Sequence, residues 1–437
     1  MGNIKDSGIE WIGKIPKNWN VKIIKNICKL KGRIGWEGLT SDEYIDEGPY
    51  LITGIDFLEG HINWENCVHV SEWRYNQAKE IQIKDNDLLI TKDGTVGKVA
   101  LTTNTPQKAT LNSGVLLMRP IGADYKEKFL YYVLLSEEFW HWFELENLGN
   151  TTIVHLYQNA FAKFKLALPN LEEQQAIADC LDDKVGKIDD ILADLNKQVE
   201  ILTAYKKSLI TETVTKGLNP DATMKDSGIE WIGEVPTHWD IKRLRYICNL
   251  KTGGTPTDRY GINDDKYGYP WVTAPDINNT YKINEFSQYI SNDAIRESAY
   301  KLFPEKTILL VCIASVGKIG IINEKCYSNQ QITALMAKNN IHPEYLLYFM
   351  ISCSDNIVAD ASSNVVPIIN SSYLKDIKCT FPSEKEQITI ANYLDKKCSQ
   401  VDSLIADKQT QIEKMKKYKK SLIYEYVTGK KRVKEVV

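Results

Sequence analysis

Lys5-Asp-Ser-Gly-Ile-Glu-Trp-Ile-Gly13 occurs again, letter for letter, at Lys225 to Gly233. The offset of 220 is about half of the 437 residues, so one plan is written twice. A repeat on this scale decides architecture before any single motif does. Two similar modules present two similar surfaces, and a function that engages one extended target at two places is the first reading to test. Each repeat leads to Pro16 and Trp19, or to Pro236 and Trp239. Trp11, Ile12, Ile15 and Trp19 form a compact apolar cluster with Pro16 at a turn. They read as a structural clasp, with nucleic-acid contact by the tryptophans as the lesser alternative.

The register of 220 holds for a long way. Leu51-Ile-Thr53 pairs with Trp271-Val-Thr273, Asp56 with Asp276, and Val96-Gly-Lys98 with Val316-Gly-Lys318. Apolar runs such as Asp87 to Thr91 and Thr307 to Val311 predict strands closed by glycine turns. Between these anchors the copies differ: Gly32-Arg-Ile-Gly-Trp36 faces Thr252-Gly-Gly-Thr-Pro256, and Trp64 to Lys84 has little identity with its counterpart. A shared scaffold with polar, aromatic variable stretches is the pattern expected of equivalent modules that read different targets.

The character changes after Pro169 and Pro382, where Leu171-Glu-Glu-Gln174 and Ser383-Glu-Lys-Glu-Gln387 begin. Carboxylates in a first turn favour the positive end of a helix. Leu181, Val185, Ile188, Leu192, Leu195, Val199, Leu202 and Leu209 then keep a 4-3 spacing, interrupted by Lys206. Leu394, Cys398, Val401, Ile405, Ile412, Met415 and Leu422 repeat it, interrupted by Lys408 and Lys419. A seam every 3.5 residues is buried only against a partner helix. The chain holds two such helices, and the intervening domain makes them antiparallel. Leu181 to Thr213 covers 33 residues, or about 50 Å of helix, more than one DNA turn of about 34 Å. The expected fold is α+β, with two pseudo-twofold-related globular domains separated by two long helices that form an antiparallel coiled coil.

Composition narrows the function classes. Net charge is −3, so any nucleic-acid surface must be a local patch. Nine scattered cysteines without a C-x-x-C pair read as free thiols of a reducing cytosol, and the six histidines lack ligand spacing. The N-terminus, with Asp6 and Glu10, has no apolar signal core. Thr307 to Ile322, the longest apolar stretch, is too short for a membrane span and carries Lys318, so it reads as a buried strand. A cytoplasmic protein is expected. No Asn-Pro-Pro-aromatic or Asp-Pro-Pro-Tyr signature and no phosphate-cradling Gly-x4-Gly-Lys-Ser/Thr loop occurs. Asp264-Asp-Lys266 reads as a solvated loop rather than a nuclease metal site, and the Lys414 to Lys420 run as a solvated face. No catalytic residue and no metal ligand is assigned.

Taken together, these residues resemble the specificity subunit of type I restriction-modification systems over essentially the whole chain. The carriers are the repeated nine residues with their proline and tryptophan, the Gly-Thr-Val-Gly-Lys98 and Ala-Ser-Val-Gly-Lys318 turns, and Thr252-Gly-Gly-Thr-Pro256. Most specific are the Glu-Glu-Gln174 and Lys-Glu-Gln387 helix starts, which lead to the similar ends Tyr205 to Ile210 and Tyr418 to Ile423. The resemblance implies two target-recognition domains, residues 1–170 and 218–382, each reading half of a bipartite double-stranded DNA sequence. Spacer helices, residues 171–217 and 383–437 with the tail, would set the unread gap. It also implies two methyltransferase subunits carrying S-adenosylmethionine and modifying adenine, and restriction subunits that translocate and cleave DNA. ATP and Mg, like S-adenosylmethionine, are expected on those partners, and this chain is expected to hold no cofactor.

Base readout needs Arg for guanine and Asn or Gln for adenine, with basic side chains on phosphates. The candidates are Arg33, Trp36, Arg74, Lys92 and Lys98 in the first copy. In the second they are Thr255, Arg259, Tyr260, Lys318, Asn329, Gln330 and Gln331. Lys98 and Lys318, kept beside a glycine in both copies, suit phosphate, whereas Arg33 and Arg259 in divergent loops suit bases. Glu173, Gln174, Glu386 and Gln387 are the candidate partner-docking residues. The rival readings are a methyltransferase or nuclease acting alone, and a coiled-coil scaffold that binds only proteins.

Overall fold

A computed structural model of the chain describes residues 4–33, 39–147, 155–254, 262–263, 268–278, 280–291, 295, 302–361 and 366–433. It divides into two compact units, Met1–Asp194 with Gln411–Val437, and Leu195–Thr410.

In the first unit a four-stranded antiparallel sheet runs in the order Val99–Leu101, Leu88–Thr91, Val115–Pro120, Cys28–Gly32. Side chains alternate across a strand, and both faces of this sheet are covered. Leu88, Ile90, Leu116 and Met118 enter a core with Phe129, Val133 and Phe139. Leu89, Val115 and Leu117 enter a second core with Ile52, Ala109 and Leu111. Burial on both sides is why these strands read as unbroken apolar runs. Ala109–Leu111 lies parallel to Ile45–Ile52, which is also paired with Val68–His69.

The second unit repeats the plan with a five-stranded sheet: Cys248–Thr252, Ile332–Ala337, Thr307–Val311, Ile319–Ile322, Lys282–Ile283. Ile308 and Leu310 face one core and Leu309 and Val311 the other. The apolar stretch 307–322, expected to be one strand, is a hairpin. Thr307–Val311 pairs antiparallel with Ile319–Ile322, because the polar turn at Ser315, Gly317 and Lys318 interrupts it.

The clasp is structural in both copies. Ile4–Asp6 pairs with Lys14–Pro16, and Met224–Asp226 with Glu234–Pro236. Trp19 and Trp239 are fully buried, Trp19 edge-on to Phe129 with ring centroids 6.4 Å apart. The strand after each clasp closes its domain: Asn20–Ile23 pairs with Lys165–Leu168, and Asp240–Arg243 with Lys378–Phe381.

Two long helices follow, Leu171–Lys216 and Glu384–Val427. Asn170 Oδ1 caps the first, accepting from the Glu173 N–H at 2.8 Å. Ser383 and Glu386 form a reciprocal capping box on the second. In the first unit Leu181, Val185 and Ile188 share a core with Leu422 and Ile423. In the second, Ile210 shares one with Leu394 and Cys398. Within the first unit Glu173 pairs with Arg432 at 2.9 Å and Asp189 with Lys419 at 2.6 Å, so the segments run antiparallel. The lysines that interrupt the seams are bridge heads. Lys206 Nζ donates to both carboxylate oxygens of Asp402, at 2.7 and 2.9 Å, just as Lys419 does to Asp189. Lys206 and Lys419 lie 213 residues apart, as do Asp189 and Asp402, so the duplication reproduced the bridge with its members exchanged.

Candidate nucleic-acid interface

Three loops meet at one corner of the first recognition domain. The Lys98 ammonium donates to the Gly54 carbonyl at 3.1 Å. The Lys92 N–H donates to the Gly114 carbonyl at 2.8 Å, and the Asn112 N–H to the Ile52 carbonyl at 2.9 Å. The second domain builds the same corner. Lys318 Nζ reaches the Ala274 carbonyl at 3.5 Å, the Cys312 N–H that of Gln331 at 2.7 Å, and the Asn329 N–H that of Val272 at 3.4 Å. Thr53 and Thr273 each bind the carboxylate of the acid three residues on, Asp56 or Asp276, through both N–H and hydroxyl. These bonds fix the loop against which each lysine stem lies.

The turns behind Lys98 and Lys318 need glycine. Gly97 and Gly317 sit at φ +84 and +93. A Cβ would lie 2.3 Å from Trp140 Cη2 at Gly97, and 2.5 Å from Val358 Cγ2 at Gly317. The helices bearing those two side chains, Glu137–Glu146 and Ser354–Ala361, therefore buttress the lysine turns.

The structure sorts the candidates. Lys92, Lys98, Lys318, Asn329, Gln330 and Gln331 all belong to the corner loops. Trp36, Thr255, Arg259 and Tyr260 lie outside the described residues, as does Asp264-Asp-Lys266. Arg33 is buried, donating from Nε to the Leu111 carbonyl at 2.9 Å and from Nη2 to the Thr110 hydroxyl at 3.3 Å. It braces the strand that leads into Asn112, which leaves little of its guanidinium for a base. Arg74 pairs with Glu43 at 2.5 Å, bonds Gln77 and lies against Trp73. The bond from Arg74 holds the Glu43 carboxyl below the usual carboxylate range. Asn112 was not among the candidates although it is the counterpart of Asn329. Its Nδ2 donates to the Tyr44 hydroxyl at 3.2 Å. The signal was present but displaced, because the offset between copies has fallen from 220 to 217 here.

The docking residues are struts. Gln174 is completely buried, donating to the Asp124 and Pro169 carbonyls at 3.1 and 2.9 Å and accepting from the Lys126 N–H at 2.8 Å. Gln387 makes the same three bonds to Asn340, Pro382 and His342. Glu173 is buried between Asn18 and Arg432. Glu386, half-buried, takes bonds from His238, Trp239 and Ser383. Burial pushes the Glu386 carboxyl up, but bonds from His238, Ser383 and Trp239 outweigh it and bring the pKa down to about 2. The two glutamines have no surface to offer a partner and fasten each helix start to its own domain, whereas Glu386 keeps part of its side chain exposed.

The nine cysteines are free, and eight are buried. Burial pushes the Cys353 and Cys326 thiols up to about 12, which suits packing rather than nucleophilic chemistry. Among the described residues no cluster of His, Cys, Asp and Glu is placed to hold a metal. No described helix is long and apolar enough to cross a membrane.

Two recognition copies, each with a lysine corner and each joined to an antiparallel helix pair, define a protein built to present two equivalent but differently lined surfaces. The family model for the type I restriction modification DNA specificity domain matches residues 16–201 and 236–414, and the chain belongs to that family. The chain is 26% identical over 432 residues to the putative type I restriction enzyme MjaX specificity subunit of Methanocaldococcus jannaschii, covering 97% of this chain and 96% of that one. It is 24% identical over 380 residues to the type I restriction enzyme EcoBI specificity subunit of Escherichia coli, covering 82% and 75%. A chain from a solved type I R-M system assembly shares the fold, with a TM-score of 0.71 at 16% identity over 94% of this chain and 98% of that one.

Proposed function

We propose that this chain is the DNA specificity subunit of a type I restriction-modification complex. Each recognition domain reads one half of a bipartite sequence, and the paired helices set the separation of the halves. The observation that carries this reading is the duplicated corner: the same backbone bonds seat Lys98 and Lys318, while the neighbouring side chains differ. The lysines suit phosphates, which position without specifying. Asn112, Asn329, Gln330 and Gln331 carry amides of the kind that read adenine. The chemistry would be done by two methyltransferase subunits that modify adenine, joined by restriction subunits, with S-adenosylmethionine, ATP and Mg held on those partners.

The test is to map modified adenines in cells that express this chain with its methyltransferase subunit. An asymmetric motif of two short halves around an unread gap is expected, and exchanging residues 1–170 for those of another family member should change one half alone. Modification by the pure chain without partners, or a single continuous motif, would overturn the assignment.

A further inference from the structure

The most telling surface outside the lysine corner is a cleft of about 710 Å³ in the first unit, bordered by Trp11, Glu137, Glu138, Trp140, Glu144 and Lys420. Glu138 is 1% exposed, and both its carboxylate oxygens lack a hydrogen-bond partner among the described residues. The Trp11 indole N–H is likewise buried without an acceptor. Lys430 acts on Glu138 through its charge alone, its ammonium donating to the Ile12 carbonyl at 2.7 Å and not to the carboxylate. Buried polar atoms left this way are rare in folded proteins, because each carries its full desolvation penalty. Two exposed carboxylates, Glu137 and Glu144, stand against one lysine at the rim with Glu138 buried behind them, which excludes a DNA phosphate as the occupant.

We propose that this cleft receives a basic side chain, an arginine or lysine, from a segment of the methyltransferase subunit. The cation pairs with Glu138 between the faces of Trp11 and Trp140, and a backbone carbonyl of the same segment accepts from the Trp11 N–H. Arginine suits the site best, since its fork matches a carboxylate and its plane stacks on indole. The inference rests on the reading of this chain as a subunit that docks methyltransferases. A cleft of about 630 Å³ lies at the corresponding place in the second unit, bordered by Trp231, Asp360, Tyr373 and Asp376. There Asp376 is engaged by Arg243 and Arg245 and Asp360 by the Tyr373 hydroxyl, and the third acid, Glu230, is exposed, so no buried carboxylate awaits a cation. The cationic contact is thus specific to the first copy. The helix it engages is the one whose Trp140 buttresses the Lys98 turn, so docking and that half of the DNA surface share a wall.

The experiment is titration of the full chain with its methyltransferase subunit, with native mass spectrometry to count copies bound. Glu138→Gln keeps the shape and removes the charge, Trp11→Phe keeps an aromatic face and removes the donor, and Glu47→Gln is a remote control of equal charge change. Loss of a charged hydrogen bond predicts that Glu138→Gln weakens binding of one methyltransferase copy by about 10- to 100-fold. Trp11→Phe should weaken the same copy by several fold, with the other copy and the melting temperature of the free chain not lowered. Unchanged binding in both variants overturns the cleft assignment while leaving the subunit reading intact. Failure of the unaltered chain to bind any methyltransferase overturns the subunit reading itself. If Glu138→Gln also lowers the melting temperature, Trp11→Phe decides: normal binding there sinks the proposal.

Discussion

Lys206 and Asp402 make an ion pair whose halves should not be interchangeable. Lys206 is 4% exposed and its ammonium lies 4.4 Å from the centre of the Tyr281 ring, whereas the Asp402 side chain is 32% exposed. Asp402→Ala removes the carboxylate on which a buried charge is seated. Breaking a buried pair from one side costs about 3–5 kcal/mol; partial exposure of Asp402 and the Tyr281 ring bring the expectation down to about 2–3 kcal/mol. Lys206→Met removes the buried charge, places an apolar stem at a position that interrupts the 4-3 seam, and leaves an aspartate that water can reach. That change should fall within about 1 kcal/mol of the parent. Amide hydrogen exchange followed by mass spectrometry resolves the two, using peptides from 195–216 and 384–410. At about 1.4 kcal/mol per factor of ten, Asp402→Ala should speed exchange by about 30- to 150-fold and Lys206→Met by less than about fivefold. The copy at Lys419 and Asp189, with side chains 28% and 49% exposed, is the internal control: either substitution there should cost less than about 1 kcal/mol. Equal loss of protection in Lys206→Met and Asp402→Ala, or none in Asp402→Ala, would refute the argument.

Gly97→Ala forces a Cβ onto Trp140 and strains a residue at positive φ, so it should destabilise the first unit by about 1–3 kcal/mol; thermal unfolding checks this, and methylation mapping should show weakened modification. Gln387→Leu removes three hydrogen bonds and strands the buried Pro382 carbonyl, a loss of about 2–3 kcal/mol by urea unfolding. Burial holds the Glu138 carboxyl well above the usual range, against the opposing charge of Lys430. A raised carboxyl contributes stability that is complete below its unfolded value of about 4.3 and is lost as pH rises through the folded value. Glu138→Gln should therefore match the parent at pH 4 and melt higher at pH 8. A parallel pair of melting curves over that range would show the carboxyl to be unperturbed.

The duplication, the helices and the clasp were legible because each is a local signal: identical letters, a proline before acids, a 3.5-residue seam. The strands were legible for the same reason, although 307–322, read as one strand, is a hairpin, its end marked only by the short turn at Ser315 to Lys318. What the sequence withheld depended on partners far along the chain. Gln174 and Gln387 were visible as repeated letters, but nothing local says whether a repeated glutamine faces a partner or three backbone groups of its own domain. Arg33 looked like a reader until the Leu111 carbonyl claimed it. Lys206 and Lys419 read as flaws in a seam because Asp402 and Asp189, which make them bridges, stand on the other helix. Asn112 escaped because the copies drift out of step, so that counterparts no longer share one offset.

The first unit is assembled from both ends of the chain, Met1–Asp194 and Gln411–Val437. Two of its contacts join residues more than 400 positions apart, Tyr424 donating to the Trp11 carbonyl and Lys430 to that of Ile12. A ribosome adding about 5–20 residues per second needs about 10–40 s to travel from Asp194 to Gln411. During that interval Leu181, Val185 and Ile188 have emerged but Leu422 and Ile423 do not yet exist. The first unit is thus completed only after the whole of Leu195–Thr410 has been made. The nascent chain must keep an apolar stripe from wrong company until Leu422 and Ile423 emerge, and a ribosome stalled in the second copy would leave that stripe bare.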